Sequence, residues 1–127
     1  MGKPFYQRFD QPEGLSQEAL KLLEKCIKAD DNYLRRGTNE TTKAIEKGKA
    51  RLVYLALDVD PPEVVGHIPL LCEEKKIPYV FVDQKKDLGK VSGLDVSMAS
   101  AALVSFGEHG KEAENILGRV RELAKIK

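Results

Sequence analysis

The sequence lacks tryptophan, and aromatic residues make up only 6% of its 127 residues. No apolar run approaches the roughly 18 residues of a membrane-spanning helix, so we expect no membrane association. The start, Met1 to Tyr6, has no apolar segment of a signal peptide. Position 6 is Tyr6 rather than the Ser or Thr of a myristoylation motif. We therefore expect a cytoplasmic protein.

Cysteine and histidine are equally scarce, with two residues of each. Cys26 and Cys72 lie far apart without a pairing signature, so we expect both to be reduced and half-buried, with a disulfide as the alternative. His67 falls in a predicted helix and His109 in a predicted turn. Neither has the ligand spacing of a zinc site, so no metal and no cofactor are predicted.

Signatures of an enzyme are missing as well. Gly48-Lys49 and Gly89-Lys90 lack the upstream glycine and the following Ser or Thr of a phosphate-binding loop. Asp58, Asp60 and Glu63 cluster after a predicted strand, but helix capping explains at least two of them, and magnesium binding is the alternative. We therefore predict a protein that is not an enzyme.

The apolar residues, 42% of the chain, suffice for one folded domain over residues 1–127. Residues 1–14, with two prolines, are predicted to form an extended arm. A first helix is expected from Ser16, a second from a cap at Thr38 or Asn39, and one bent at Pro69 over residues 60–75. A short edge strand is expected over residues 33–36.

Strands and helices alternate in the second half of the chain. Strands are predicted over residues 52–57, 79–82 and 101–106, the first buried on both faces because it is continuously apolar. Alternation of this kind favours a largely parallel sheet covered by helices on both faces, which is an α/β protein with three layers.

Positive charge is concentrated in one segment, although the net charge is only +1. Residues 35–51 contain six basic and two acidic residues, a local excess typical of a phosphate-binding surface. The alternative is a solvated lysine-rich helix.

The start of the second helix carries the most informative group of side chains. Its free backbone N–H groups and positive dipole end attract phosphate. Asn39 can recognise a base edge, and Lys43, one turn later, can reach guanine or a phosphate. Glu40 either accepts hydrogen bonds from base N–H groups or only complements the helix dipole, and the sequence leaves both open.

Three segments resemble one known family. Residues 37–43 (GTNETTK) are similar to its signature, and residues 58–65 (DVDPPEVV) and 70–82 (LLCEEKKIPYVFV) to its central block. The family is the archaeal kink-turn-binding large-subunit ribosomal protein family (the seven-Ae type), with spliceosomal and nucleolar relatives. The resemblance covers nearly the whole chain, including the arm at residues 5–9.

The resemblance implies a three-layer α/β/α sandwich with a mixed four-stranded sheet. It implies binding to the kink-turn and to the kink-loop, RNA elements whose bend rests on tandem sheared G·A pairs. Asn39, Glu40 and Lys43 would recognise the guanines, and Asp60, Val64 and Lys85 an extruded nucleotide. The loop residues Leu94, Asp95 and Val96 would cover unstacked bases, and the implied RNA-binding set also includes Arg36, Gly37 and Thr38.

The implied RNAs are ribosomal RNA, box C/D and H/ACA guide RNAs and ribonuclease P RNA, with the core proteins of those particles as partners. We expect a monomer when the protein is free. The rival hypothesis is a small nucleotide-binding or enzymatic α/β domain that uses Asp58, Asp60 and Asp83 at the ends of its strands. A third is a translation-factor module of the same fold with mainly protein partners.

Overall fold

The computed structural model describes residues 4–126 and contains one four-stranded sheet. The strands are β1 (Leu34–Arg36), β2 (Leu52–Ala56), β3 (Tyr79–Val82) and β4 (Ser100–Leu103). Their order is β1-β4-β2-β3. β2 and β3 are parallel, whereas β4 runs antiparallel to both β1 and β2. The sheet is therefore mixed, as the family resemblance implied, and the largely parallel sheet predicted from alternation is wrong.

Helices cover both faces of this sheet. They are α1 (Leu15–Ala29), α2 (Thr38–Glu46), α3 (Ile68–Lys75), α4 (Lys85–Val91) and α5 (Gly110–Ala124). The apolar sides of α1, α4 and α5 pack in one core, and those of α2 and α3 in the other. The prediction of a three-layer α/β/α sandwich is confirmed.

Strand β2 is the centre of both cores, because side chains alternate between the two faces of a strand. Leu52, Tyr54 and Ala56 lie in the core with α1, while Val53 and Leu55 lie in the core with α2. All five side chains are buried. The prediction of a strand buried on both faces is confirmed, and each large side chain contributes about 1.5–3 kcal/mol on burial.

The reversed direction of β4 follows from the short connection that precedes it. Helix α4 has only seven residues, about 10 Å, and the following loop returns to its start, where the Met98 N–H donates to the Lys85 carbonyl over 3.0 Å. Strand β4 therefore begins at the edge of the sheet where β3 ends. From there it can only run back, antiparallel to β2.

The helix predicted over residues 60–75 is divided in two. A 3₁₀ turn at Pro62–Val64 is followed by a turn, and α3 begins only at Ile68. Asp60 is not a cap, because the extended residue before the 3₁₀ turn is Pro61 and no side chain caps that turn. Pro69 lies in the first turn of α3, where its missing N–H costs no hydrogen bond, so it begins the helix instead of bending it.

The described part of the N-terminal arm, residues 4–14, lies against β3 and α3, and residues 1–3 are outside the described part. The Tyr6 hydroxyl is buried and donates to the Ala56 carbonyl over 2.6 Å. The Gln11 side chain bonds the backbone of Phe81 twice, accepting from its N–H over 2.6 Å and donating to its carbonyl over 2.9 Å. Arg8 forms two hydrogen bonds with Glu73.

Cys26 and Cys72 are both free thiols, and both are fully buried rather than half-buried. Burial raises the pKa of the Cys26 thiol to about 11. Helix α1 begins at Leu15 after Gly14, so Ser16 does not cap it as predicted. None of the helices within residues 4–126 has the length and apolar character needed to cross a membrane.

Candidate nucleic-acid interface

The residues singled out in the sequence meet at one edge of the sheet, which we call the site edge. There β1, β2 and β3 end and β4 begins, as their pairing shows. Helix α2 follows β1, the 3₁₀ turn at Pro62–Val64 follows β2, α4 follows β3, and the loop over residues 92–99 precedes β4. The topology therefore brings four segments that are distant in sequence to one surface.

Gly37 begins α2 in a conformation that only glycine adopts readily, with φ +92° and ψ 160°. Its N–H donates to the Ser100 carbonyl over 3.1 Å, and its carbonyl accepts from the Thr41 N–H over 2.9 Å. The Thr38 and Ser100 hydroxyls form a further hydrogen bond of 2.9 Å. Strand β4 thus fixes the first turn of the helix.

The prediction that Thr38 or Asn39 caps α2 is wrong, since Gly37 occupies that position and no side chain caps the helix. Thr38 bonds Ser100 instead. Within residues 4–126 the Asn39 side chain has no hydrogen-bond partner and is exposed. Its amide is therefore free to bind a ligand.

Glu40 and Lys43 are exposed beside Asn39 on the same face of α2. The Lys43 ammonium lies 3.5 Å from the Glu40 carboxylate, a long and solvated ion pair that contributes at most about 1 kcal/mol. The first N–H groups of α2 have no partner within the helix. An amide, a carboxylate and an ammonium are thus presented together beside a positive dipole end.

Arg36 is already engaged by the protein. Its guanidinium donates twice to the Ser92 carbonyl, over 2.8 and 3.1 Å, and pairs with Asp31 over 2.6 Å. The side chain joins the end of β1 to the loop that starts at residue 92. Its place in this structure is that of a support for the loop.

The loop with Leu94, Asp95 and Val96 packs closely on α4. The Leu94 N–H donates to the Gly89 carbonyl over 2.9 Å, and a Cβ at Gly89 would collide with the Val96 carbonyl. Leu94 is half-buried against the core, whereas Asp95 is exposed and Val96 is 68% exposed. Val96 is therefore the apolar surface that this loop offers to a partner.

Val64, Asp60 and Lys85 border the same surface. Val64 is 46% exposed on the 3₁₀ turn, and Asp60 is exposed just before it. Lys85 is the first residue of α4, and its N–H donates to the Asp58 carboxylate over 2.7 Å. Asp58, a candidate residue of the enzymatic hypothesis, thus accepts a hydrogen bond from the first N–H of α4.

Two supporting contacts were not visible in the sequence. Ser100 holds the first turn of α2, as described above. The Thr42 hydroxyl and the His67 ring nitrogen lie 2.9 Å apart and connect α2 with the turn before α3. No composition or spacing signal marks these residues, because each depends on a partner distant in sequence. Within residues 4–126 no group of three or more His, Cys, Asp or Glu residues could hold a metal ion.

Comparison with known proteins identifies the family of this chain. The model of the family described as "Ribosomal protein L7Ae/L30e/S12e/Gadd45 family" matches residues 17–112. The chain belongs to this family. The matched region of the L7Ae/L30e/S12e/Gadd45 family contains all four segments of the site edge.

A solved structure similar to this chain extends the likeness beyond the matched region. It is the Giardia lamblia 15.5kD RNA binding protein, which is 36% identical with a TM-score of 0.85. The match covers 96% of this chain and 99% of that one. The structural likeness therefore extends beyond residues 17–112 to most of the N-terminal arm and α5.

Proposed function

We propose that this protein binds RNA and stabilises the kinked form of kink-turn and kink-loop elements through the site edge. The observation that carries the proposal is the opening turn of α2, where Asn39, Glu40 and Lys43 are exposed together. Membership of a family with ribosomal proteins and similarity to a protein named as RNA-binding support it.

Each side chain of that turn fits one chemical feature of a sheared G·A pair, in which guanine edges are not occupied by ordinary pairing. The Asn39 amide can donate to and accept from a base edge, and the Lys43 ammonium can donate to guanine acceptors. Glu40 accepts from guanine N–H groups, which explains a carboxylate on a surface that faces phosphates. Gly37 has no side chain and the Thr38 hydroxyl is bonded to Ser100, so RNA can approach the helix N-terminus closely.

The surrounding segments suit unpaired nucleotides. Val64 and Val96 offer apolar surface on which an extruded base can stack, with Leu94 beneath the loop. Asp60 can accept from such a base, Lys85 can approach its phosphate, and Asp95 can contact a neighbouring nucleotide. Arg36 contributes by holding the loop in place.

The mechanism is a shift between two RNA conformations. A bulged RNA exchanges between an extended and a kinked form, and a protein that contacts only the kinked form favours it by its differential affinity. Recognition of this kind requires no catalytic group. We propose ribosomal RNA, box C/D and H/ACA guide RNAs and ribonuclease P RNA as targets, in the cytoplasm, with the core proteins of those particles as neighbours and a monomer as the free state.

The proposal is tested by titrating a kink-turn RNA and a duplex of equal length with the variants Asn39→Ala, Glu40→Ala and Lys43→Ala. Each variant should lose about 1–3 kcal/mol of binding free energy for the kink-turn RNA, because each removes a direct contact with a base or phosphate. Lys90→Ala, an exposed lysine on α4, is the matched control and should bind normally. Unchanged affinity in all three variants would refute the proposed contacts.

A further inference from the structure

A second group of cations lies at the opposite edge of the sheet, which we call the far edge. There β2 and β3 begin and α2, α3 and α5 end. The Val53 N–H donates to the Pro78 carbonyl over 3.1 Å. Arg51 and Lys76, each two residues earlier, therefore lie on neighbouring segments that lead into β2 and β3. The far-edge cluster consists of six cations: Lys49, Arg51, Lys75, Lys76, Arg121 and Lys125.

Most of these charges are uncompensated. Five of the six are exposed and have no ion pair within residues 4–126, while the Arg121 guanidinium donates only to the Lys76 carbonyl. The carboxylates nearest in the chain that are free of ion pairs within the described residues are Glu46, Glu74 and Glu122. Glu73 is taken up by Arg8 and Tyr79. The cluster therefore has six cations for three sequence-neighbouring carboxylates without ion pairs in the described chain, in a protein whose net charge is +1.

Helix capping does not account for the whole cluster. Cations near a helix C-terminus are favoured by its dipole, which explains Lys75 and Lys76 at the end of α3 and Arg121 and Lys125 at the end of α5. Lys49 and Arg51 lie in the segment between α2 and β2, and their side chains donate to no carbonyl within residues 4–126. The surplus positive charge therefore suits an external polyanion.

Within residues 4–126, the far edge lacks the exposed large apolar side chains that a protein or membrane partner would use. The exposed large apolar side chains within the described residues are Phe5, Val64, Leu70 and Val96. Val64 and Val96 belong to the site edge. Phe5 lies against Gly66 in the turn before α3, and Leu70 lies in the first turn of α3, away from its C-terminus. A surface of exposed cations without an apolar centre in the described chain matches a phosphate backbone rather than a protein interface or a lipid layer.

We propose that the far-edge cluster binds the phosphates of a second RNA segment, distinct from the one recognised by α2. This rests on the proposed function and extends it. The nine residues of α2 separate the two edges by about 14 Å, so two stretches of one folded RNA can be held at once. The protein would then fasten a flanking helix to the bent element as well as stabilise the bend.

The test compares a far-edge variant, Lys49→Gln/Arg51→Gln/Lys75→Gln, with a control of equal charge change, Lys21→Gln/Lys90→Gln/Lys111→Gln. None of the six side chains has an ion pair within residues 4–126. Affinity is measured against salt concentration for a minimal kink-turn RNA with short stems and for the same element within a longer folded RNA. Hydroxyl-radical footprinting locates the protected backbone.

The far-edge variant should bind the minimal RNA like the wild type. On the longer RNA it should bind roughly tenfold more weakly, with a salt slope reduced by about three, and lose one footprint outside the kink. An equal loss in the control variant, or no loss on the longer RNA, would overturn the proposal. The proposal would also be overturned if the wild type, but not the variant, bound phosphatidylserine vesicles and the wild type left no footprint outside the kink on the RNA. Failure of the proposed function would show separately, as wild-type protein that does not prefer the minimal kink-turn RNA to a duplex.

Discussion

Single residues decide how helix α2 begins. Gly37 takes a backbone conformation in which any side chain is strained, and its N–H bonds Ser100 of β4. Because glycine and not Asn39 occupies the cap, the Asn39 amide stays free. A residue type that commonly caps helices is thereby kept for a ligand.

Replacing Gly37 with alanine should destabilise the protein by about 1–3 kcal/mol and weaken RNA binding. A Cβ there meets no atom within 4 Å, so the cost comes from backbone strain and not from a collision. Chemical denaturation measures the change. Gly118→Ala in α5, where space is also open and φ is not in the left-handed range, is the control and should stabilise by about 0.5–1 kcal/mol. Equal effects at both positions would contradict this explanation.

Some side-chain arrangements of the site could be predicted from the sequence and others could not. The proximity of Asn39 and Glu40 to Lys43 was predictable because helical spacing places Lys43 one turn after both of them. The engagement of Arg36 by Ser92 and Asp31 was not, since the guanidinium bonds a backbone carbonyl 56 positions away. Local sequence carries no signal for such a partner.

Among the elements, the loop over residues 92–97 is held from two sides. Arg36 bonds its first carbonyl, and Gly89 allows close packing against α4. A loop fixed in this way holds Val96 in place, and in the proposed complex this lowers the entropy cost of RNA binding.

Arg36→Lys should loosen this loop, because lysine cannot form the two guanidinium hydrogen bonds and the Asp31 ion pair together. We expect amide hydrogen exchange at residues 93–97 to quicken roughly tenfold, as measured by mass spectrometry. Arg35→Lys, which loses only a bond to the nearby Asn32 carbonyl, is the control and should leave the loop unchanged. Unaltered exchange in Arg36→Lys would show that packing on Gly89 holds the loop alone.

Element types were largely predictable, but their directions and boundaries were not. The apolar run that forms β2 identified a strand buried on both faces. Nothing in the composition of β4 states its direction, which depends on the shortness of α4 and on the returning loop. The division of the predicted 60–75 helix depends on Pro69, which sequence alone allows either to bend a helix or to begin one.

At the scale of the whole molecule, the N-terminal arm is tied to α3 and β3 by charge as well as by packing. The hydrogen bond from Arg8 holds the pKa of the Glu73 carboxyl below its ordinary value of 4.5, with a further contribution from Tyr79. A carboxyl with a lowered pKa stabilises the fold above its unfolded pKa. That contribution is lost as the pH falls from about 4.5 through the lowered value.

Glu73→Gln should therefore flatten the acid limb of the stability curve below about pH 4.5, because the variant has no carboxyl to protonate there. Thermal unfolding from pH 7 to pH 3 measures this. Glu74→Gln, at the exposed neighbouring position without an ion pair in the described chain, should keep the wild-type slope. If the pH dependence of stability is the same in Glu73→Gln and the wild type, the hydrogen bonds between Arg8 and Glu73 contribute nothing to the stability lost in acid.

The two hydrogen bonds between the Gln11 side chain and the Phe81 backbone affect how this protein can associate with other copies of itself. β3 is the outer strand of its sheet, and such a strand normally offers unpaired peptide groups on which another molecule can assemble. The Gln11 carboxamide has the same donor and acceptor as a peptide unit, and it occupies both groups of Phe81. One side chain thus occupies the peptide groups that a further strand would need at Phe81, and it obstructs the pairing of a second molecule at that point of the edge.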